Sequence, residues 1–201
     1  MKNFNFRSLF MLVFAVGIFS TVQAQHITLG PVVGVNFHSV SNFDDTKASA
    51  RPLFGAAFMY SITEHFGIGA DLLYSMEGAK DADNNDIYFH TDYLRVPIKA
   101  AWFFGDLGSK LRPKLYVGVS PAFLIGGKDS AGVKATDYFE GFDFGLLAGG
   151  GLNYRIGESI WLQLDLNYTH GLTNILDIND QDYQNRNFGV QVGVGFPIGK
   201  N

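Results

Sequence analysis

Beyond residue 25 the sequence alternates, and it does so eight times. From Ile27 to Phe37 the odd positions are apolar (Ile27, Leu29, Pro31, Val33, Val35, Phe37), whereas the even positions are Thr28, Gly30, Val32, Gly34 and Asn36. Successive side chains of a strand point to opposite faces, so this period gives one bulky apolar face and one small or polar face. The same period returns over Phe54–Ile62, Phe66–Met76, Leu94–Phe104, Leu115–Phe123, Phe142–Tyr154, Ile160–Tyr168 and Phe188–Ile198. A chain with this pattern is all-β.

The connections also alternate. Long polar stretches lie at 39–50, 78–92, 126–140 and 173–187, and short turns lie near Thr63-Glu64, Gly105–Arg112 and Arg155–Glu158. Antiparallel strands joined by short and long connections in turn are the signature of an outer-membrane barrel. The predicted fold is an eight-stranded antiparallel up-and-down transmembrane β-barrel. Its short turns and both termini face the periplasm, and its long loops face outward. An unpaired N–H or C=O in hydrocarbon costs several kcal/mol, so the first strand must close on the last. Pro97 lies inside the fourth segment and cannot donate to a ladder, which predicts a bulge or a missing bond there.

A soluble barrel would alternate too, with its apolar face inward. Side-chain volume decides the sign. The small face carries Gly30, Gly34, Gly67, Gly69, Gly118, Gly145, Gly149, Gly151, Gly189, Gly193 and Gly195, together with charged residues. Glycine weakens a strand and gives a solvated outer face no advantage. The narrow interior of an eight-stranded barrel, by contrast, has room only for small residues and compact ion pairs. The bulky face therefore meets lipid. Aromatic positions agree with this. Tyr60, Phe66, Trp102, Phe104, Tyr154 and Phe196 fall at the short-turn ends, and Phe37, Phe54, Tyr74, Phe123, Phe142, Tyr168 and Phe188 fall near the long-loop ends. Two aromatic girdles are expected of a membrane barrel.

Residues 1–24 read as a secretory signal peptide. Lys2 and Arg7 precede an apolar run from Leu9 to Phe19, and Val22-Gln23-Ala24 offers small residues to a signal peptidase. The run is short for a retained helix, which needs about 20 apolar residues. The mature domain is then 25–201. The chain has no cysteine, which excludes a disulfide scaffold, a thiolate metal site and an acylated N-terminal cysteine. A net charge of −4 without a basic block argues against nucleic-acid binding.

The segment Tyr93-Leu94-Arg95-Val96-Pro97-Ile98-Lys99 resembles a Tyr-Leu-x-x-Pro-x-x-Lys-type pattern of small outer-membrane barrels of the Bacteroidetes, the PorT-like family, whose architecture is similar to OmpA and OmpX barrels. The Gly-rich closing strand Phe188–Ile198 fits the same resemblance, which extends over most of 25–201. Where that pattern favours glutamate this chain has Arg95. The resemblance implies an outer-membrane location and, for the named branch, a link to protein secretion.

Seven ionisable residues share the inward face: Asp71, Glu77, Arg95, Lys99, Lys114, Asp143 and Asp165. They either line a narrow conduction path for ions or small solutes or form a paired plug. Unpaired buried charge is costly and eight strands leave no wide channel, so the plug is expected. The four long stretches hold twelve carboxylates against five cations. Asp81, Asp83, Asn85 and Asp92 offer oxygen ligands in the manner of a calcium loop, but the sixth-position glycine is missing and Asp92 replaces the bidentate glutamate. A solvated rim is the expectation, with no metal and no cofactor. No Ser, His and carboxylate fall on neighbouring strands as a triad, so no enzyme is expected. The reading is a monomeric scaffold in contact with the bilayer and lipopolysaccharide, its acidic loops available to extracellular proteins or glycans. A narrow channel and an accessory part in secretion are the alternatives.

Overall fold

The computed structural model describes residues 26–41, 46–81, 88–106, 108–137, 139–157, 159–175 and 183–198. The signal-peptide segment lies outside them. Nine strand segments follow one another: β1 (His26–Val40), β2 (Thr46–Ser61), β3 (Phe66–Asp81), β4 (Tyr88–Arg95), β5 (Ile98–Phe103), β6 (Leu111–Asp129), β7 (Phe142–Ile156), β8 (Ile160–Gly171) and β9 (Asn185–Ile198). All pairings are antiparallel. They run in chain order from β1 around to β9, and β9 returns to β1 with Val33 opposite Val192 and Phe37 opposite Phe188. The ring is closed, so no sheet edge is left to face hydrocarbon.

The ninth segment comes from Pro97. β4 and β5 both lie between β3 and β6, and the register passes through the break unchanged. Arg95 faces Leu73 and Ala122, and Ile98 faces Ala70 and Val119. Val96 N–H still donates to the Pro121 carbonyl (2.9 Å), and the Pro97 carbonyl accepts from Asp71 N–H (3.0 Å). Only the donor that proline lacks is missing. The one bulge on this stave lies further along, between Asp92 and Tyr93, where the β6 partner skips from Gly126 to Leu124.

The strands also reach further than the polarity pattern suggests. β1 and β2 extend to Val40 and back from Thr46, β3 continues to Asp81, and β6 runs through Asp129. Much of 39–50, 78–92 and 126–140 is therefore strand. Beyond the lipid both faces of a strand can be polar, so alternation stops before the ladder does. A short 3-10 turn, Ala135–Asp137, follows β6.

Polarity is inverted relative to a soluble barrel. Val117 (63% exposed), Leu115 (58%) and Val33 (57%) point outward, while Asp143 and Glu77 are fully buried. Apolar area of this extent around a whole ring is a lipid surface. The interior nevertheless contains more hydrocarbon than the small-residue pattern implies. Ala101, Phe103, Tyr116 and Leu147 cluster with Met59, and Val32, Leu53 and Leu73 cluster with Ala57. A dry lumen fills with whatever volume fits, so apolar side chains alternate in depth with the charged ones. Near the loop end a third cluster joins Val40 and Ile175 to Phe89, Phe139 and Tyr183.

Candidate functional site

The seven inward ionisable residues form two separate groups. The group nearer the loops is centred on Arg95 at the end of β4. Its Nε donates to Glu77 Oε1 and its Nη2 to Glu77 Oε2 (2.8 Å), a bidentate fork. The same Nη2 reaches past Ala122 of β6 and donates to Asp143 Oδ2 on β7 (2.8 Å). One cation thus serves two carboxylates, and neutral donors meet the surplus negative charge. Ser75 Oγ (2.9 Å) and Asn187 Nδ2 (3.3 Å) donate to Glu77. Thr173 Oγ1 (3.0 Å) and Asn185 Nδ2 (2.9 Å) donate to Asp143. Asn36 Nδ2 donates to Ser75 Oγ (2.7 Å). His38 Nε2 sits 2.8 Å from Asn185 Oδ1 and 3.5 Å from Glu77 Oε2. Six strands, β1, β3, β4, β6, β7 and β9, contribute to this group once Ser120, 3.5 Å from Arg95 Nη1, is included.

The second group is deeper. Lys99 Nζ donates to Asp71 Oδ2 (2.6 Å), and Lys114 Nζ donates to Asp165 Oδ2 (2.9 Å). The Tyr116 ring lies between the two pairs, 5.2 Å from Lys99 Nζ and 5.9 Å from Lys114 Nζ. Two glycines of β7 make this approach possible. A Cβ on Gly149 would lie 2.5 Å from Tyr116 Cζ, and one on Gly151 would lie 2.2 Å from Asp165 Oδ1. Between the two groups the remaining void is about 20 Å³, bordered by Asp71, Arg95, Lys99 and Tyr116. On the other side of Lys114, toward the short turns, the lumen opens into a cavity of about 380 Å³.

The outward aromatic residues meet as cross-strand neighbours. Near the loop end Phe37 lies against Phe188 (6.3 Å between centroids), Phe54 against Tyr74 (5.1 Å) and Phe123 against Phe142 (5.4 Å). Tyr168 is opposite Phe188 in the ladder. At the short-turn end Phe66 faces Trp102, Tyr60 faces Ile68, Tyr154 faces Leu111 and Phe196 faces Leu29. Phe104 follows β5 and is exposed.

Asp83 and Asn85 lie outside the described residues, and only the backbone of Asp81 is described. Asp92 stands on the outer face of β4, between buried Thr91 and Tyr93. Among the described residues no three His, Asp or Glu side chains could share a metal ion.

Sequence reasoning missed His38, Asn36, Asn185 and Asn187. All four occupy inward positions on β1 and β9 and are buried. Their signal was the uncharged polar residue on an inward strand position, which alternation alone cannot distinguish from a solvated one. Thr173 was also missed, because it follows β8 and no periodicity marks it.

The closed ring with lipid outside and ion pairs inside has a counterpart in known proteins. The family model described as outer membrane protein beta-barrel domain matches residues 23–177. The chain belongs to that family. Solved structures agree in fold. The outer membrane protein OprG of Pseudomonas aeruginosa is 12% identical, with 89% of this chain and 98% of that one covered and a TM-score of 0.58. Neisserial surface protein A is 16% identical, with 85% and 97% covered and a TM-score of 0.55. Ail, the attachment invasion locus protein of Yersinia pestis, is 11% identical, with 88% and 100% covered and a TM-score of 0.54. No curated protein matches the chain. This outer-membrane barrel thus shares its architecture with the small barrels OprG, NspA and Ail, at identities that speak for the fold alone.

Proposed function

We propose that this outer-membrane barrel is a closed, non-enzymatic scaffold whose loop end is a binding face. It acts as a monomer, with the short turns in the periplasm and the loops at the cell surface. The supporting observation is the Arg95 bridge. Glu77 on β3 and Asp143 on β7 are joined through one guanidinium, and Asn187 and Asn185 of β9 donate to them from the other side of the ring, so a hydrogen-bonded network crosses the lumen. The void beneath it, about 20 Å³, is room for roughly one water, which needs ~10–15 Å³. An ion moving past this layer would have to break a buried pair, which costs several kcal/mol.

The loop end has substance of its own. Ile175 is 1% exposed and lies in the cluster with Val40, Phe89, Phe139 and Tyr183. Glu140 N–H donates to the Ile175 carbonyl, and Ile175 N–H donates to the Tyr183 carbonyl, both at 2.9 Å. The segments after β6 and β8 are thereby tied together over the lumen. Acidic and surface-directed, this loop end suits recognition of a basic protein surface, a glycan or cation-bridged lipopolysaccharide.

Planar-bilayer recording tests the closed interior. The folded wild type should carry no steady current. A steady current that Arg95→Ala or Asp71→Ala alters would overturn the reading. For the binding face, envelope and surface partners should be lost when residues 176–182 are trimmed, which leaves Thr173, Asn185 and Asn187 of the Arg95 network in place. If every partner survives that trimming, the loop end is not the binding face.

A further inference from the structure

The cavity at the short-turn end has a charge character that the plug does not explain. Arg112, Lys114 and Arg155 line it, together with Asn153, Gln163 and Trp161. Among the described residues no carboxylate lines it. Lys114 is shared with Asp165. The two arginines are held differently. Arg112 is 5% exposed, its Nη2 donates to the carbonyls of Glu64 and Gly105, and its guanidinium lies 5.1 Å from the Phe103 ring centroid. Arg155 Nη2 donates to the Gly108 carbonyl (2.7 Å), and its guanidinium lies 5.9 Å from the Trp161 ring centroid. Turn carbonyls and ring faces position both groups. The carboxylates of Glu64 and Asp106 act on Arg112 from the turns, outside the cavity lining.

Arg112 Nε is buried and has no hydrogen-bond partner among the described residues, and the same holds for Asn153 Oδ1. A buried guanidinium N–H left unmade is expensive, so a ligand that reaches it on a small side-chain shift is favoured. At about 380 Å³ the cavity falls within the ~300–1,000 Å³ typical of small-molecule sites. We propose that this cavity binds a small multivalent oxyanion, carboxylate or phosphate, between Arg112, Arg155 and Lys114. Arginine forks suit both anions, and Gln163 and Asn153 supply neutral hydrogen-bonding groups for the remainder of the ligand.

The barrel carries its own reporter. Of its two tryptophans, Trp102 is on the lipid face and Trp161 lines the cavity. A Trp102→Phe background therefore isolates the Trp161 signal. The full-length mature chain, folded in an uncharged detergent and checked by heat-modifiable gel mobility, is titrated at constant ionic strength with pyrophosphate and, separately, with citrate. A saturable change in Trp161 fluorescence is expected with at least one, and the stronger of the two identifies phosphate or carboxylate as the preferred chemistry. Arg112→Gln and Arg155→Gln should each weaken binding about tenfold, the loss of one charge-assisted hydrogen-bond set. Lys134→Gln, which removes the same charge at the loop end, should leave binding unchanged. If Arg112→Gln does not fold, Arg155→Gln carries the test. Absence of saturation with both anions, or equal weakening by Lys134→Gln, would overturn the proposal.

Discussion

Replacing Arg95 by methionine removes the one cation that serves Glu77 and Asp143. Both carboxylates are fully buried, and Arg95 itself is 4% exposed. Removing one partner of a buried ion pair costs about 3–5 kcal/mol, because the remaining charge is left in a low-dielectric site. Here two carboxylates are left, which pushes the cost upward. Each keeps two neutral donors, Ser75 and Asn187 for Glu77 and Thr173 and Asn185 for Asp143, which pulls it back. The expected loss for Arg95→Met therefore stays near about 3–5 kcal/mol. Adding Glu77→Gln and Asp143→Asn removes the stranded charges and leaves only imperfect hydrogen bonding. The triple variant should return to within about 2 kcal/mol of the wild type. Urea unfolding of the barrel in phosphatidylcholine vesicles, followed by tryptophan fluorescence and heat-modifiable mobility, measures both. A single variant within about 1 kcal/mol of the wild type, or a triple variant no better than the single, would refute the shared-cation argument.

Other perturbations probe different layers. Gly149→Ala drives a methyl group into the Tyr116 ring and should cost about 1–3 kcal/mol in the same assay, with Tyr116→Ala restoring part of the loss; no rescue would mean that the strain lies in the backbone. Val117→Arg places charge on the most exposed apolar position of β6 and should cost about 2–4 kcal/mol in vesicles. A neutral effect there would mean that this face does not meet lipid. Ile175→Ala deletes the centre of the loop-end cluster. Chymotrypsin cleavage within 172–184 should then accelerate while the barrel keeps its heat-modifiable shift, whereas loss of that shift would make the loop end part of the barrel's folding core.

What the sequence determined by itself is the part of this protein that repeats every two residues. Alternation is local, so it reveals for each strand which residues share a face. Small and charged residues on one face, with bulky ones on the other, then decide which side meets lipid. Asp71, Glu77, Arg95, Lys99, Lys114, Asp143 and Asp165 were all assignable to the inward face on that basis. Pro97 announced its missing donor in the same way.

Which charge meets which was not legible. Arg95 reaches Glu77 on the adjoining β3 and Asp143 two strands away on β7, while Lys114 pairs with Asp165 rather than Asp71. Those choices depend on the stagger of strands around the closed ring, and a slide of two residues between neighbours would preserve every face and change every partner. Strand ends were illegible for a related reason. Past the lipid both faces can be polar, and the ladder runs on through residues whose pattern resembles a loop. The basic cavity at the short-turn end needed tertiary structure altogether, since Arg112 and Arg155 stand on different strands and acquire a shared lining only when β6 and β7 pair. Period two sets the sides of the barrel wall, and closure of the ring sets everything that meets across it.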